Sequence, residues 1–179
     1  MSKFRSMLLA GAMVAGMGTA AQAAPVTGQI DFSGVGSYDA TTLTVSSAFV
    51  VLTSGSFSIF PFLNPATFTS PLTFSPSISP LGTLWMVDDG LGNVASFEAT
   101  GGSGSVNGSG FLNISATGTL KLTGFDDTPG TLAISSQGGT GVLVSFSATS
   151  VAAVPEPASL ALLGAGLLGL GFAARRRAA

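Results

Sequence analysis

Between residues 24 and 153 no stretch of this chain runs far without a turn former. Gly34 and Gly36, Ser54-Gly55, Asp88-Asp89-Gly90, the run Gly101 to Gly110 and the cluster Gly124 to Gly130 cut it into short pieces rich in Val, Ile, Thr and Phe. A helix needs a longer uninterrupted run with apolar residues three and four apart. Short alternating pieces bounded by Gly, Pro and Asp suit antiparallel strands instead. The expected fold is therefore all-β, an antiparallel β-sandwich of about seven to nine short strands.

Taken in order, Val26 to Phe32 alternates and reads as a first strand, broken at Gly34-Val35-Gly36. Thr42 to Thr53 is β-branched and long enough for a strand with a bulge or corner. Gly55 to Phe62 reads as a strand with Phe57 and Ile59 on one face and Phe60 and Phe62 on the other. Pro61, Pro65, Pro71, Pro76 and Pro80 then exclude a helix or a central strand. Phe62, Phe68, Leu72, Phe74 and Ile78 punctuate this stretch, which predicts a long ordered connection whose aromatics plug the open side of a sheet. The alternative is an exposed, sticky segment. Gly82 to Val87 carries the single Trp, Trp85, and Asn93 to Ala99 returns from the Asp-Asp-Gly turn. Gly101 to Gly110 reads as a flexible hairpin tip. Phe111 to Thr123, Thr131 to Gln137 and Gly141 to Ser150 complete the strands, the last expected to be covered on both faces.

The two ends differ from this body. Lys3 and Arg5 precede an apolar stretch from Met7 to Met17, and Ala21-Gln22-Ala23 gives the small–x–small pattern of a signal-peptide cut. The cut is expected between Ala23 and Ala24, which makes residues 1–23 a signal peptide. At the other end, residues 154–179 hold Pro155-Glu156-Pro157, an uncharged apolar run from Ala158 to Ala174, and Arg175, Arg176 and Arg177. As a helix that run reaches roughly 26 Å, slightly short of a hydrocarbon core of about 30 Å. It spans by local thinning, with the arginines left in the cytoplasmic interface.

The combination of PEP motif, Gly/Leu-rich span, arginine cluster and chain end resembles the PEP-CTERM sorting signal of exported Gram-negative bacterial proteins. The resemblance covers residues 154–179. It implies recognition by a membrane-embedded exosortase, with Pro155, Glu156 and Pro157 as the sorting motif and Arg175 to Arg177 as the cytoplasmic stop. It also implies a transmembrane sorting helix that is removed on processing. The expected route is export through the inner membrane, transient anchoring there, then the cell surface or the extracellular space. Signal peptidase and exosortase are the expected partners. The stretch GTLKLTGFDDTPGTLAISSQG is also similar to an element of many PEP-CTERM protein bodies, which implies an extracellular β-domain and no particular chemistry.

Inventory narrows what the body, residues 24–153, can do. The whole chain has no Cys and no His. That excludes a Ser-His-Asp triad, a Cys nucleophile and a Cys/His zinc site. Within the body Lys121 stands alone against Asp31, Asp39, Asp88, Asp89, Glu98, Asp126 and Asp127, so one minus seven gives a net charge of minus six. Nucleic acid needs clustered cations, so no nucleic-acid partner is expected. Asp88, Asp89, Asp126 and Asp127 are the weak candidates for a Ca²⁺ site, since paired carboxylates on turns supply hard oxygen ligands. Asp is equally a plain turn former, and no EF-hand spacing is present. Trp85 and Tyr38 are candidate sugar-stacking platforms, against a core position for Trp85. Asn107-Gly108-Ser109 and Asn113-Ile114-Ser115 match a glycosylation sequon, read here as chance.

No catalytic residue and no cofactor is expected. The reading is a non-catalytic structural or adhesive protein of the surface or the exopolysaccharide matrix of a biofilm. The alternatives are a glycan- or calcium-binding module in that matrix, a carboxylate-based hydrolase, or a permanently anchored protein.

Overall fold

The structure, a computed structural model, describes residues 23–136 and 142–150 together with Leu167. The expected signal peptide, apart from Ala23, lies outside these residues, as does the expected sorting helix apart from Leu167. No helix among the described residues is long and apolar enough to cross a membrane.

The body is all-β, as expected, but it is a closed barrel and not a sandwich. Its strands are β1 (Gln29–Tyr38), β2 (Thr42–Thr53), β3 (Pro65–Phe68), β4 (Leu72–Thr73), β5 (Gly82–Asp88), β6 (Val94–Val106), β7 (Leu112–Leu122), β8 (Thr128–Ser136) and β9 (Val142–Ser150). Neighbours run β1-β9-β8-β7-β6-β5-β3-β2, and β2 pairs back onto β1, so eight strands form a ring with every pairing antiparallel. β4 lies outside the ring, paired to the start of β2 at Leu43–Leu72. What overturns the sandwich is β1 itself. It pairs with β9 on one side and with β2 on the other, and the short β3 carries β2 across to β5.

Closure sends one face of every strand inward. Alternation is clearest on β8, where Thr128, Gly130, Leu132, Ile134 and Ser136 are buried and their neighbours exposed. An eight-stranded ring is just wide enough for side chains to fill it. Here Ile30, Phe32, Trp85, Phe97, Ile114 and Phe146 occupy the interior, each at most 1% exposed. Phe32 packs against Trp85 at 4.9 Å with the rings tilted, and meets Phe68 edge-on at 5.4 Å, while Phe68 lies 4.1 Å from Phe146. Burying aromatics of this size is the main favourable term available to a chain without disulfides.

Several sequence expectations need correction. β1 does not break at its glycines. A Cβ on Gly34 would stand 2.6 Å from the Ser47 carbonyl oxygen, and one on Gly36 2.5 Å from that of Thr44, so glycine marks close strand approach. The stretch Gly55–Ile59 is a 3-10 turn and not a strand, which puts Phe57 and Phe60, three apart, into the core together. Gly101 to Val106 is not a flexible tip but the second half of β6, and the turn is confined to residues 107–110. β9 is not covered on both faces: Val144, Phe146 and Ala148 are buried while Ser145 and Thr149 are exposed.

The proline-rich connection was expected to hold no central strand, yet Pro65–Phe68 is β3, paired with β2 on one side and β5 on the other; the rest of it plugs the sheet as expected. Leu72, Phe74 and Ile78 are buried, whereas Phe62 is exposed. Its peptide bonds Ser70-Pro71, Ser75-Pro76 and Ser79-Pro80 are cis. Backbone hydrogen bonds fix it on both sides. The Phe74 amide donates to Thr41, the Ile78 amide donates to Gly102, and the Gly104 amide donates to Phe74. This segment thereby spans the gap between the start of β2 and the end of β6, which β3 and β5 are too short to fill. A Cβ on Gly102 would meet the Ile78 Cδ1 at 2.6 Å, which explains why small residues stand there.

Candidate functional site

Antiparallel pairing sorts the connections to the two ends of the barrel. One end carries the N-terminal segment 24–28, the loop 54–64, the hairpin turn 89–93, the turn 123–127 and the exit of β9 at Ser150. The first groups to engage are at the predicted signal-peptide junction. Ala23 and Ala24 are exposed, and the Ala24 carbonyl accepts the Asp126 amide at 3.0 Å. Val26 is buried, and its amide donates to Thr128 Oγ1 at 2.8 Å. A cut after Ala23 leaves all these bonds in the body. Ala21 lies outside the described residues.

The exit of β9 is clasped to the same segment. The Ser150 amide donates to the Gly28 carbonyl at 3.1 Å, and Ser150 Oγ accepts the Gly28 amide at 3.0 Å. Gly28 and Gly55 pass so closely that a Cβ on either would overlap backbone of the other segment. Start, loop 54–64 and tail exit are thus one hydrogen-bonded unit. Pro155, Glu156, Pro157 and Arg175 to Arg177 lie outside the described residues.

Both acidic pairs fall at this end; the first is engaged by its own turn, and Asp127 of the second by Lys121. Asp88 Oδ1 accepts the Gly90 amide at 2.7 Å, and Asp89 Oδ1 accepts the amides of Leu91 and Asn93 at 2.7 and 3.1 Å. The Asn93 side-chain amide also donates to Asp89 Oδ2, and chiefly for that reason the Asp89 carboxyl titrates below its ordinary value. Asp127 faces Lys121 Nζ at 3.6 Å, and Glu98 faces the same Nζ at 3.0 Å. The hydrogen bond to Glu98, then the charges of Asp127 and Glu98, raise the Lys121 pKa. Among the described residues no three potential ligands of the Asp, Glu, His or Cys type come together. The structure therefore places Asp88 and Asp89 on one turn and Asp126 and Asp127 on the next, without joining them into a cation cage.

The aromatic candidates are absorbed by the fold. Trp85 is 1% exposed between β3 and β6, and its Nε1 has no hydrogen-bond partner among the described residues. Tyr38 is half-buried at the opposite end, its hydroxyl donating to the Gly110 carbonyl at 2.6 Å and sharing a 2.8 Å hydrogen bond with Ser136 Oγ. Trp85 therefore presents no free ring face for stacking on a sugar, while the Tyr38 hydroxyl is committed to the fold. Asn107 caps its own turn, accepting the amides of Ser109 and Phe111, while Asn113 stands exposed on β7.

With the body's start and exit clasped at one end, the residues beyond Ser150 decide how the chain is handled. Residues 153–177 match the family model of the PEP-CTERM protein-sorting motif. The chain carries a PEP-CTERM sorting motif. It is thus an exported protein directed to exosortase, with membrane-anchored sorting ahead of the cell surface. The match starts three residues after the last residue of β9, so little sequence separates motif from barrel. No curated protein and no solved structure matches the chain.

Sequence reasoning offered an exposed apolar segment only as an alternative for the proline-rich stretch, and did not place it at this end. Ile59, Phe62 and Leu63 are exposed on loop 54–64, with Leu52 beside them on β2 and Leu91 on the neighbouring hairpin. The available signal was a Pro-Phe-Leu-Asn sequence, turn-forming at both ends and apolar in its middle, just after two core phenylalanines.

Proposed function

We propose that this PEP-CTERM protein is a non-catalytic component of the cell surface or extracellular matrix, released or re-attached after exosortase removes its tail. The observation that carries this reading is the filled barrel beside the sorting motif. The interior is occupied by Phe, Trp, Leu and Ile, so the ring is a packed solid and not a ligand cup. Its outer wall is a lawn of small hydroxyls, with Thr44, Ser47, Ser115, Thr131, Ser135 and Ser145 all exposed. Such a wall hydrogen-bonds weakly and broadly, which suits a structural or adhesive role in hydrated polysaccharide. Closure leaves no complete free sheet edge, so the body resists edge-to-edge aggregation outside the cell.

The test is the intact mass of the protein recovered from producing cells and their medium, with and without exosortase. The expected product begins at Ala24, ends near Glu156 and lacks the arginines. A full tail in both strains would overturn the processing reading. For the matrix role, the mature body is expected to fractionate with extracellular polysaccharide and to leave it when that polymer is digested. A body found wholly free in the medium before digestion would remove the matrix part.

A further inference from the structure

The tail-bearing end has a second property that its role in sorting does not require. Leu52, Ile59, Phe62, Leu63 and Leu91 are 58%, 46%, 70%, 57% and 88% exposed there. Ile59, Phe62 and Leu63 share one loop, and Phe57 and Phe60 of that same loop are buried, so the loop is pinned from beneath. The Asn64 side-chain amide donates to the Asp88 carbonyl at 3.0 Å, which ties this loop to the hairpin bearing Leu91. The apolar tips therefore stand on a rigid base at one pole of the barrel.

Chain length fixes what this pole must face. Only residues 151–154 lie between Ser150 and Pro155. Five Cα–Cα steps span at most roughly 18 Å when extended. While the tail is held at the membrane for processing, the Ser150 pole cannot stand farther than that from the motif. We propose that the pole formed by Leu52, Ile59, Phe62, Leu63 and Leu91 seats on the lipid bilayer until the tail is cut. This rests on the processing reading above. Exposed Phe and Leu side chains on a pinned loop enter the interfacial layer to a depth of about 5–10 Å.

Charge selects the kind of surface. Asp88, Asp89, Asp126 and Asp127 ring the same pole, and Lys121 is engaged by Glu98 and Asp127. No polybasic segment of the body is present to attract anionic headgroups. The contact is apolar, takes zwitterionic lipid, resists salt and weakens as anionic lipid is added. Seating orients the barrel and holds the PEP motif at a constant height above the bilayer.

The test uses the full chain reconstituted in phosphatidylcholine vesicles with brominated acyl chains, which quench tryptophan at the interface. Phe62→Trp places a reporter at the seated pole. Phe111→Trp places one at the opposite end, where Phe111 is 43% exposed. Trp85, buried in all forms, gives a common background to subtract. The expected result is loss of roughly half of the reporter emission for Phe62→Trp at interfacial depth, unchanged by salt, and little loss for Phe111→Trp. A chain that floats with the vesicles but shows no quenching in Phe62→Trp, or equal quenching at both ends, overturns the seating alone. A chain that does not float with the vesicles removes the membrane stage as well.

Discussion

The barrel has two kinds of wall. From β6 through β7, β8 and β9 to β1, each strand meets the next along most of its length; β6 and β7 pair from Ala95–Leu122 to Val106–Leu112. From β2 to β5 the ring is a seam. β3 meets β2 only at Ala48–Ala66 and Phe49–Pro65, and the remaining gap is closed by the proline-rich connection through single hydrogen bonds. The wall holds by repeated ladder pairing and the seam by a few placed side chains. A closed sheet can therefore be made with one poorly paired interval, provided apolar residues stop that interval from the inside.

Breaking the wall has the largest expected effect. Phe146→Ala removes a fully buried ring that Phe68 packs against, and about 3–5 kcal/mol of stability is expected to go with it, read from urea unfolding. Phe74→Ala empties an equally buried site in the seam. There the loss is expected to be smaller, about 3 kcal/mol or less, because a segment with only the short β4 pairing settles into the space. Equal losses at both sites would remove the distinction between wall and seam.

Gly102→Val sharpens the same comparison. Its side chain would push on Ile78 and on the Ser115 carbonyl, so about 1–3 kcal/mol is expected to be lost. Hydrogen exchange should then speed up at the Ile78 and Gly104 amides and stay slow across β8 and β9. Tyr38→Phe deletes the hydroxyl that joins β1 to Gly110 and Ser136, and is expected to cost about 0.5–1.5 kcal/mol.

The smallest effects lie in the exposed charges. Lys121→Met removes both of the Lys121 ion pairs, and no measurable change in unfolding midpoint is expected, because exposed pairs add little. Two of the turn carboxyls hold their charge further into acid than an ordinary carboxyl. Hydrogen bonds from the Asn93 side chain to Asp89, and from the Thr41 and Thr42 amides to Asp39, hold these carboxyls below the ordinary carboxylate value. Their contribution is complete above the unfolded value and fades as pH falls through the lower folded ones. Asp89→Asn should therefore lower stability at neutral pH and close the gap to the parent as pH falls below about 4, which flattens the acid side of the profile. A variant as acid-sensitive as the parent would separate Asp89 from that limb.

Much of the wall was legible in the sequence, because its cause is local. Thr119, Lys121 and Thr123 alternate with Leu120 and Leu122, and Asp88-Asp89-Gly90 turns the chain where its side chains bond their own backbone. The seam was not legible. Gly101 to Val106 reads as a loose tip because its glycines have a distant reason, the passage of Ile78 and Phe74 across them. Sandwich and barrel share one alternation of inward and outward residues, and what decides between them is that β1 pairs with both β2 and β9. The β9 half of that pairing joins residues more than a hundred positions apart, which no local pattern carries. The sorting motif was legible for the opposite reason: it is read as sequence by its partner. The apolar pole lay between these cases, since Ile59, Phe62 and Leu63 look like core residues until the 3-10 turn assigns Phe57 and Phe60 to that role.

The double pairing of β1 also sets a timetable. In a chain exported N-terminus first, β1 and β2 emerge early and zip together as a hairpin, but that hairpin keeps one unsatisfied rim until β9 arrives. β9 ends at Ser150, and the PEP motif begins within five residues of it. The last strand that completes the barrel is therefore delivered as the tail reaches the membrane. Folding finishes and the processing signal comes into position in the same interval, so a body stalled in translocation presents neither a finished barrel nor a motif to be cut.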